Sequence, residues 1–285
     1  MKVKLLPAVI AACSFFSIPF AGAGTYQSEI SAEYGETDYD GSSSDIYDVL
    51  LTGTYYFSAV DTTNRPLAES AFLQKASNVY VNGYYEEDKE TGSGVISSDV
   101  LHTYGRAIGA DFYIPNSIFF VGAGIAEAKS KNEWRYNGNS YRETHDWDSF
   151  WYVKAGITPI DGLLVWSEFY EDVDVSDFWN INAKYVLPLG SGNQWLNLET
   201  SYETQDGDDG DLSTFYAAAD YYIDSNLSVG GGITHYTYDD DGYDSNNNAS
   251  FIRDKQYFTD NLSANIKYAD GDFESRWEIG ASIRF

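Results

Sequence analysis

From residue 24 to the C-terminus, the chain alternates apolar and polar side chains with a period of two, segment after segment. Only an extended strand sends successive side chains to opposite faces, so the pattern writes a sheet with one apolar and one polar surface. Residues 178–187 put Trp179, Ile181, Ala183, Tyr185 and Leu187 on one face and Asn180, Asn182 and Lys184 on the other. Residues 196–203 set Leu196, Leu198, Thr200 and Tyr202 against Asn197, Glu199, Ser201 and Glu203. Near the start, Tyr26, Ile30, Ala32 and Tyr34 oppose Gln27, Glu29, Ser31 and Glu33. No segment beyond residue 23 reaches the roughly 18 consecutive apolar residues of a membrane-spanning helix.

A soluble sandwich and a membrane barrel both alternate in this way, and the aromatics separate them. They make up 17% of a chain that is otherwise polar. They bunch as Tyr55-Tyr56-Phe57, Phe112-Tyr113, Tyr221-Tyr222 and Tyr257-Phe258, each beside an expected tight turn. Aromatics gathered at strand ends mark the two interfaces of a bilayer. Connections also alternate in length. Short ones fall at 115–116, 159–162, 224–226 and 259–261, and longer acidic ones at 38–45, 87–99, 130–147, 205–211 and 238–249. The expectation is an all-β chain: an antiparallel transmembrane β-barrel with short periplasmic turns and longer acidic extracellular loops. Fourteen strands fit, an even number as bacterial barrels require. Because 100–114 alternates poorly and 250–258 is weak, twelve is the alternative count.

The first 23 residues read as an export leader. Lys2 and Lys4 precede an apolar stretch over residues 5–20, and Ala21-Gly22-Ala23 is a small-x-small cleavage site. Ile10-Ala11-Ala12-Cys13 offers a lipoprotein box instead. The apolar stretch runs on through Phe15, Phe16 and Phe20, however, so cleavage after Ala23 is the expectation. Cys13 is the only cysteine, so the barrel at 24–285 has no thiol chemistry. One connection, 58–76, breaks the pattern of short periplasmic turns. Its segment 64–75 reads as a short helix with Pro66 near the first turn. Leu67, Ala71 and Phe72 would pack either on the lower rim, the simpler expectation, or inside the lumen.

The last eight residues resemble the C-terminal signal that outer-membrane barrels present to the barrel-assembly machinery, with Glu278, Gly280, Ile283 and Phe285 in its places. Residues 55–73, with Tyr55-Tyr56-Phe57 and Pro66-Leu67-Ala68-Glu69-Ser70-Ala71-Phe72-Leu73, resemble the general porins of Gram-negative bacteria, as does the turn at 257–262. That resemblance implies a passive diffusion channel in the outer membrane, with no catalytic residues and no cofactor; a substrate-preferring outer-membrane channel, or a non-channel structural or adhesive barrel, is the alternative. Lipid, lipopolysaccharide, periplasmic chaperones and small polar solutes are its implied partners. Nothing marks a subunit interface, and oligomerisation is left open.

If one face meets lipid, the other lines a lumen. Lumen candidates are Glu29, Glu33, Asp48, Arg106, Lys154, Glu168, Asn182, Lys184, Glu199, Glu203, Asp220, Lys267, Glu278 and Arg284. Their acid excess favours cations weakly. A formal charge of −27 argues against nucleic acid as a partner, since phosphate needs clustered Lys and Arg. The acidic segments 206–211 and 239–244 lack a closing Glu at calcium-loop spacing and read as solvated. His102, His145 and His235 stand on separate elements, and no metal-ligand spacing or nucleophile pair accompanies them. Deleting Phe285 is expected to reduce outer-membrane insertion without affecting export. Fractionation would check this, and undiminished insertion would count against the C-terminal reading.

Overall fold

The computed structural model describes residues 24–285 except 42–43, 91–95, 137–138, 172–176, 191–192, 208–209 and 241–242. The expected leader at 1–23 lies outside the described residues, as do most side chains of the acidic segments 206–211 and 239–244. The strands are β1 (Thr25–Tyr39), β2 (Ser44–Asp61), β3 (Asn78–Glu90), β4 (Ile96–Tyr113), β5 (Phe119–Tyr136), β6 (Asn139–Thr144), β7 (Asp148–Ile157) and β8 (Leu163–Tyr170). They continue as β9 (Asp177–Pro188), β10 (Trp195–Gly207), β11 (Gly210–Tyr222), β12 (Leu227–Asp240), β13 (Tyr243–Thr259), β14 (Leu262–Gly271) and β15 (Glu274–Arg284). Each pairs antiparallel with its neighbour, and β15 pairs back to β1 from Glu29↔Arg284 to Tyr39↔Glu274. β6 and β7 both lie along β5, on its residues 131–136 and 119–128, and together make one stave. The result is a closed antiparallel barrel of 14 staves. Closure joins the first strand to the last, which hydrocarbon demands because no water is there to bond a free N–H or C=O.

The outer face carries the apolar residues. Ile252 is 69% exposed, Phe258 64%, Ile125 56% and Phe119 55%. Such a wide apolar surface would aggregate in water and is at home against lipid. Outside the extracellular half runs a row of rings, Trp277, Tyr34, Tyr47, Tyr85 and Tyr104, with neighbouring centroids 5.2–6.3 Å apart. At the periplasmic end, the adjacent aromatics split between the two faces instead of all joining a girdle. Phe112 and Phe258 face outward, whereas Tyr222 and Tyr257 are buried inside at 3% and 2% exposure. Neighbours on a strand point oppositely, so only one of each pair can reach lipid.

The turns follow their side-chain chemistry. Asp224 Oδ1 accepts from the backbone N–H of Asn226 and Leu227 at 2.7 and 2.9 Å, and the Thr259 hydroxyl accepts from Asn261 and Leu262 at 3.2 and 3.1 Å. Asn116 takes φ 58° in the turn after β4. On the opposite side, the expected acidic loops are largely strand. β10 runs to Gly207 and β11 restarts at Gly210, and β12 runs to Asp240 and β13 restarts at Tyr243.

Tyr26 corrects the expectation for β1. A bulge between Tyr26 and Ser28 shifts the register, so Tyr26 points inward although Ile30, Ala32 and Tyr34 point outward. The extra residue reverses the alternation. It also closes the barrel's seam, because Gln27 and Ser28 both donate backbone N–H to the Phe285 carbonyl, at 2.6 and 3.1 Å.

β4 alternates poorly in sequence because its inner face, like that of β5, is nearly bare. Gly105, Ala107 and Gly109 on β4 stand beside Gly122, Gly124, Ala126 and Ala128 on β5. Tyr80 from β3 and Tyr152 from β7 lie across this floor with their hydroxyls 2.6 Å apart. A Cβ on Gly109 would stand 2.5 Å from the Tyr152 hydroxyl and 2.6 Å from that of Tyr80. Gly109→Leu is therefore expected to destabilise the barrel by roughly 1–3 kcal/mol. Gly83→Leu, where a Cβ meets nothing within 4 Å, is expected to be tolerated. Thermal unfolding in detergent distinguishes the two.

Candidate functional site

The inner face gathers nearly all the charged residues expected there. Glu29, Glu33, Asp48, Lys154, Glu168, Asn182, Lys184, Glu199, Glu203, Asp220, Lys267, Glu278 and Arg284 all project inward, by strand parity with the buried residues Asn180, Asn197, Ser263 and Ser282. Arg106 does not. It shares its face of β4 with Ile108 and Phe112, which are 54% and 43% exposed, and its guanidinium pairs outside with Glu127 and sits 4.5 Å from the Trp147 ring. The glycines of β4 hid the true parity, since Gly105 and Gly109 take the inward positions.

Near the periplasmic end the inward charges form one connected network. Arg253 clamps Asp220 through Nε and Nη2, at 2.7 and 2.6 Å, and reaches Glu199 at 2.8 Å. Asn197 donates to both carboxylates, at 2.8 Å to Asp220 and 2.9 Å to Glu199. Glu199 passes the network to Lys184 at 3.2 Å, and Lys184 reaches Glu69 at 2.9 Å. In a separate cluster nearer the extracellular end, Arg276 bonds Asp48 and Glu278 at 2.6 and 2.7 Å, and Lys267 stands 3.3 Å from Glu278. Lys154 lies between Asp111 and Glu168, at 3.5 and 3.8 Å. Half-buried charges are tolerable here because each meets an opposite charge and further donors. Arg253 and Arg276 were missed in the sequence. Arg253 shares its inward face of β13 with Tyr257, and the register shift between Tyr257 and Thr259 hides that parity from a count along the sequence.

Glu69 belongs to the insertion, and its position corrects the expectation of a helix on the rim. After β2 the chain passes through a 3-10 turn (Leu67–Glu69) and a one-turn helix α1 (Ser70–Leu73) that lie inside the barrel's periplasmic end. Leu67 is 3% exposed, Glu69 4% and Ser70 0%. The segment is fastened to staves around the circumference. Arg284 Nη1 and Ser225 hold the Leu67 carbonyl and N–H, each at 2.8 Å, and Tyr222 donates to Glu69 at 2.6 Å. Lys75 donates to Thr158 at 3.1 Å. Arg284 bonds Glu29 at 2.7 Å and lies 4.4 and 4.6 Å from the rings of Tyr26 and Tyr257. The insertion thus crosses the lower mouth. Beside it opens a polar cleft of about 390 Å³, lined by Thr62, Asn64, Arg65, Trp195, Asn226 and Asp260 among others.

Other candidates do not assemble into sites. His102 meets Tyr85 at 3.0 Å on the outer surface, and His235 meets Asn248 at 2.8 Å. Among the described residues, no three His, Cys, Asp or Glu side chains cluster as a metal site.

A family model described as "Putative general bacterial porin" matches residues 4–285. No curated protein sequence matches the chain. Among solved structures, outer membrane protein Omp33 of Acinetobacter baumannii superposes with TM-score 0.62 at 21% identity, covering 93% of this chain and 100% of that one. A FadL homologue of Pseudomonas aeruginosa superposes with TM-score 0.59 at 8% identity, over 92% and 90% of the two chains. The β domain of the Bordetella autotransporter BrkA does so with TM-score 0.51 at 6% identity, over 92% and 100%. At such identities the likeness is one of fold.

Glu69→Ala would remove the acceptor of Tyr222 and one of the two partners of Lys184. Breaking a buried ion pair costs about 3–5 kcal/mol, enough to loosen the insertion. The expected outcome is a larger single-channel conductance in planar bilayers, and an unchanged conductance would show that the insertion does not limit flow.

Proposed function

The chain belongs to the general bacterial porin family and is a channel of the Gram-negative outer membrane, and from that premise we propose that it passes small hydrophilic solutes by passive diffusion with a weak preference for cations. The observation that carries this reading is the charge of the inner wall. Most inward bases are matched by a carboxylate: Lys154, Lys184, Arg253, Lys267, Arg276 and Arg284 all have acidic partners within 4 Å, whereas Lys255 lies 5.7 Å from the Tyr257 ring. Acids remain over. Glu33 and Glu203 make no ion pair or hydrogen bond among the described residues, and both project into the lumen. Unmatched carboxylates in a water-filled bore raise the local cation concentration, and charges of both signs favour polar over apolar solutes.

The size of the barrel supports passage. Eight staves give an interior that side chains just fill, and this barrel has 14. The narrowing is local, at the insertion, and the polar cleft beside it suits water and ions better than an apolar solute. Membrane lipid and lipopolysaccharide surround the outer face. Glu278, Gly280, Ile283 and Phe285, on the strand that completes the seam, would be read by the assembly machinery and its chaperones.

Bilayer recordings under a salt gradient test the proposal. The expected result is stepwise conductance with a reversal potential on the cation side. Glu33→Gln combined with Glu203→Gln should move that potential toward zero. An anion-selective wild-type channel would overturn the cation preference, and folded protein without conductance would overturn the diffusion channel itself.

A further inference from the structure

One sector of the inner wall carries aromatic rings gathered around the Lys154–Glu168 pair. Tyr80 and Tyr152 lie on the glycine floor of β4 and β5. Tyr152 is followed by Tyr170 of β8, with centroids 5.8 Å apart and planes tilted by 35°. Tyr170 meets Phe150 at 6.3 Å and Phe178 of β9 at 5.1 Å. These five rings form an unbroken arc. Phe150, Tyr170 and Phe178 stand at the extracellular ends of their strands, and Tyr152 and Tyr80 follow lower on the wall. The arc therefore runs from the extracellular ends of β7, β8 and β9 toward the periplasmic end. Its apolar members are the anomaly, because a bore meant only for water and ions has no use for half-buried Phe150 and Phe178 on its wet face.

Hydrogen-bonding groups edge the rings. Glu168 accepts from the Tyr170 hydroxyl at 2.5 Å and from the Trp166 indole at 3.0 Å, with Lys154 beside it. Asn182 donates to Asn180 at 2.9 Å, and Asn180 in turn accepts from the Glu168 backbone N–H at 2.9 Å. Glu203, directly across the ladder from Asn180, has no partner among the described residues. Tyr152 is 7% exposed and forms the floor, while Phe150 and Phe178 stand at 56° and 82° to Tyr170, so half-exposed rings edged by donors and acceptors face the bore, and these match one solute chemistry. A pyranose turns its C–H face to an aromatic ring and its equatorial hydroxyls outward to carboxylate, amide and amine. The ring spacing of 5.1–6.3 Å is close to the length of one sugar unit along a chain.

We propose that the arc of Phe178, Tyr170 and Phe150, floored by Tyr152 and Tyr80, is a stacking track for a linear oligosaccharide, leading it from the extracellular ends of β7, β8 and β9 toward the insertion. This rests on the channel reading and adds a substrate class to it. A flat aromatic solute would stack equally well but would leave Glu203, Lys154 and Asn182 without new partners.

The test is calorimetric titration of the full barrel in a polyoxyethylene detergent, since glycoside detergents would compete. The probes are maltohexaose, a polyethylene glycol of similar size, and benzoate. Maltohexaose is expected to bind and the glycol not to. Tyr170→Ala and Phe178→Ala should each weaken maltohexaose by up to about tenfold, the scale of one lost aromatic contact. Glu203→Gln, which leaves every ring in place, should weaken it less. If a ring variant fails to fold, the Glu203 variant still tests the track. Binding of benzoate without maltohexaose, or variants binding like wild type, would overturn the proposal. Salt conductance of the same preparation separates the two claims. Conductance without maltohexaose binding removes the track and leaves the channel, and binding without conductance removes the channel.

Discussion

Everything in this molecule depends on the seam between β1 and β15. In hydrocarbon an unpaired backbone N–H or C=O has nowhere to turn, so a sheet is stable there only when its first and last strands meet. Here they pair over eleven positions, and the terminal Phe285 is drawn in by two N–H groups from the bulge at Gln27–Ser28. Once the cylinder closes, the pleat assigns every side chain to lipid or lumen, with no intermediate position. The bulge is the local adjustment that lets Tyr26 turn inward and cover Arg284 while the strand above it keeps its apolar residues toward lipid.

Closure concentrates charge. A chain carrying 44 acidic and 17 basic residues cannot place many of them against lipid, so the inner wall receives them. Low dielectric and crowding then make unpaired charge costly, and the structure answers with shared partners: Glu199 serves both Lys184 and Arg253, and Glu278 both Lys267 and Arg276. The insertion joins this system through Glu69 and the Leu67 backbone. The narrow end of the bore is thus held by the same ion pairs that line it. The aromatic sector is the complement. Where β4 and β5 offer only glycine and alanine, rings from strands on either side lie down across the gap.

Much of this was legible. Strand number, closure, turn chemistry and the inward set from Glu29 to Arg284 follow from alternation and turn residues, because both depend on neighbours along the chain. The failures have physical causes. Arg106 was assigned to the wrong face because Gly105 and Gly109 carry no polarity to mark the parity of β4. Tyr26 was misplaced because a bulge has no signature in the identity of Gln27 or Ser28. Tyr222 and Tyr257 were counted as girdle because a run of two aromatics cannot reveal which ring is outside. The insertion was expected on the rim because nothing in Glu69 itself names Lys184 and Tyr222, more than a hundred residues away, as its partners.

By itself the sequence pointed to a barrel in a membrane: alternation wrote the two-faced sheet, and aromatics beside the turns together with the alternating lengths of the connections favoured lipid over water for its apolar face. What lies inside was decided by tertiary structure. Whether the insertion enters the lumen, which carboxylate holds which base, and whether tyrosines and phenylalanines from β3, β7, β8 and β9 make one arc all depend on the circumference. Closing the cylinder brings together side chains that are far apart in the chain, and periodicity along a strand carries no information about what stands across the bore.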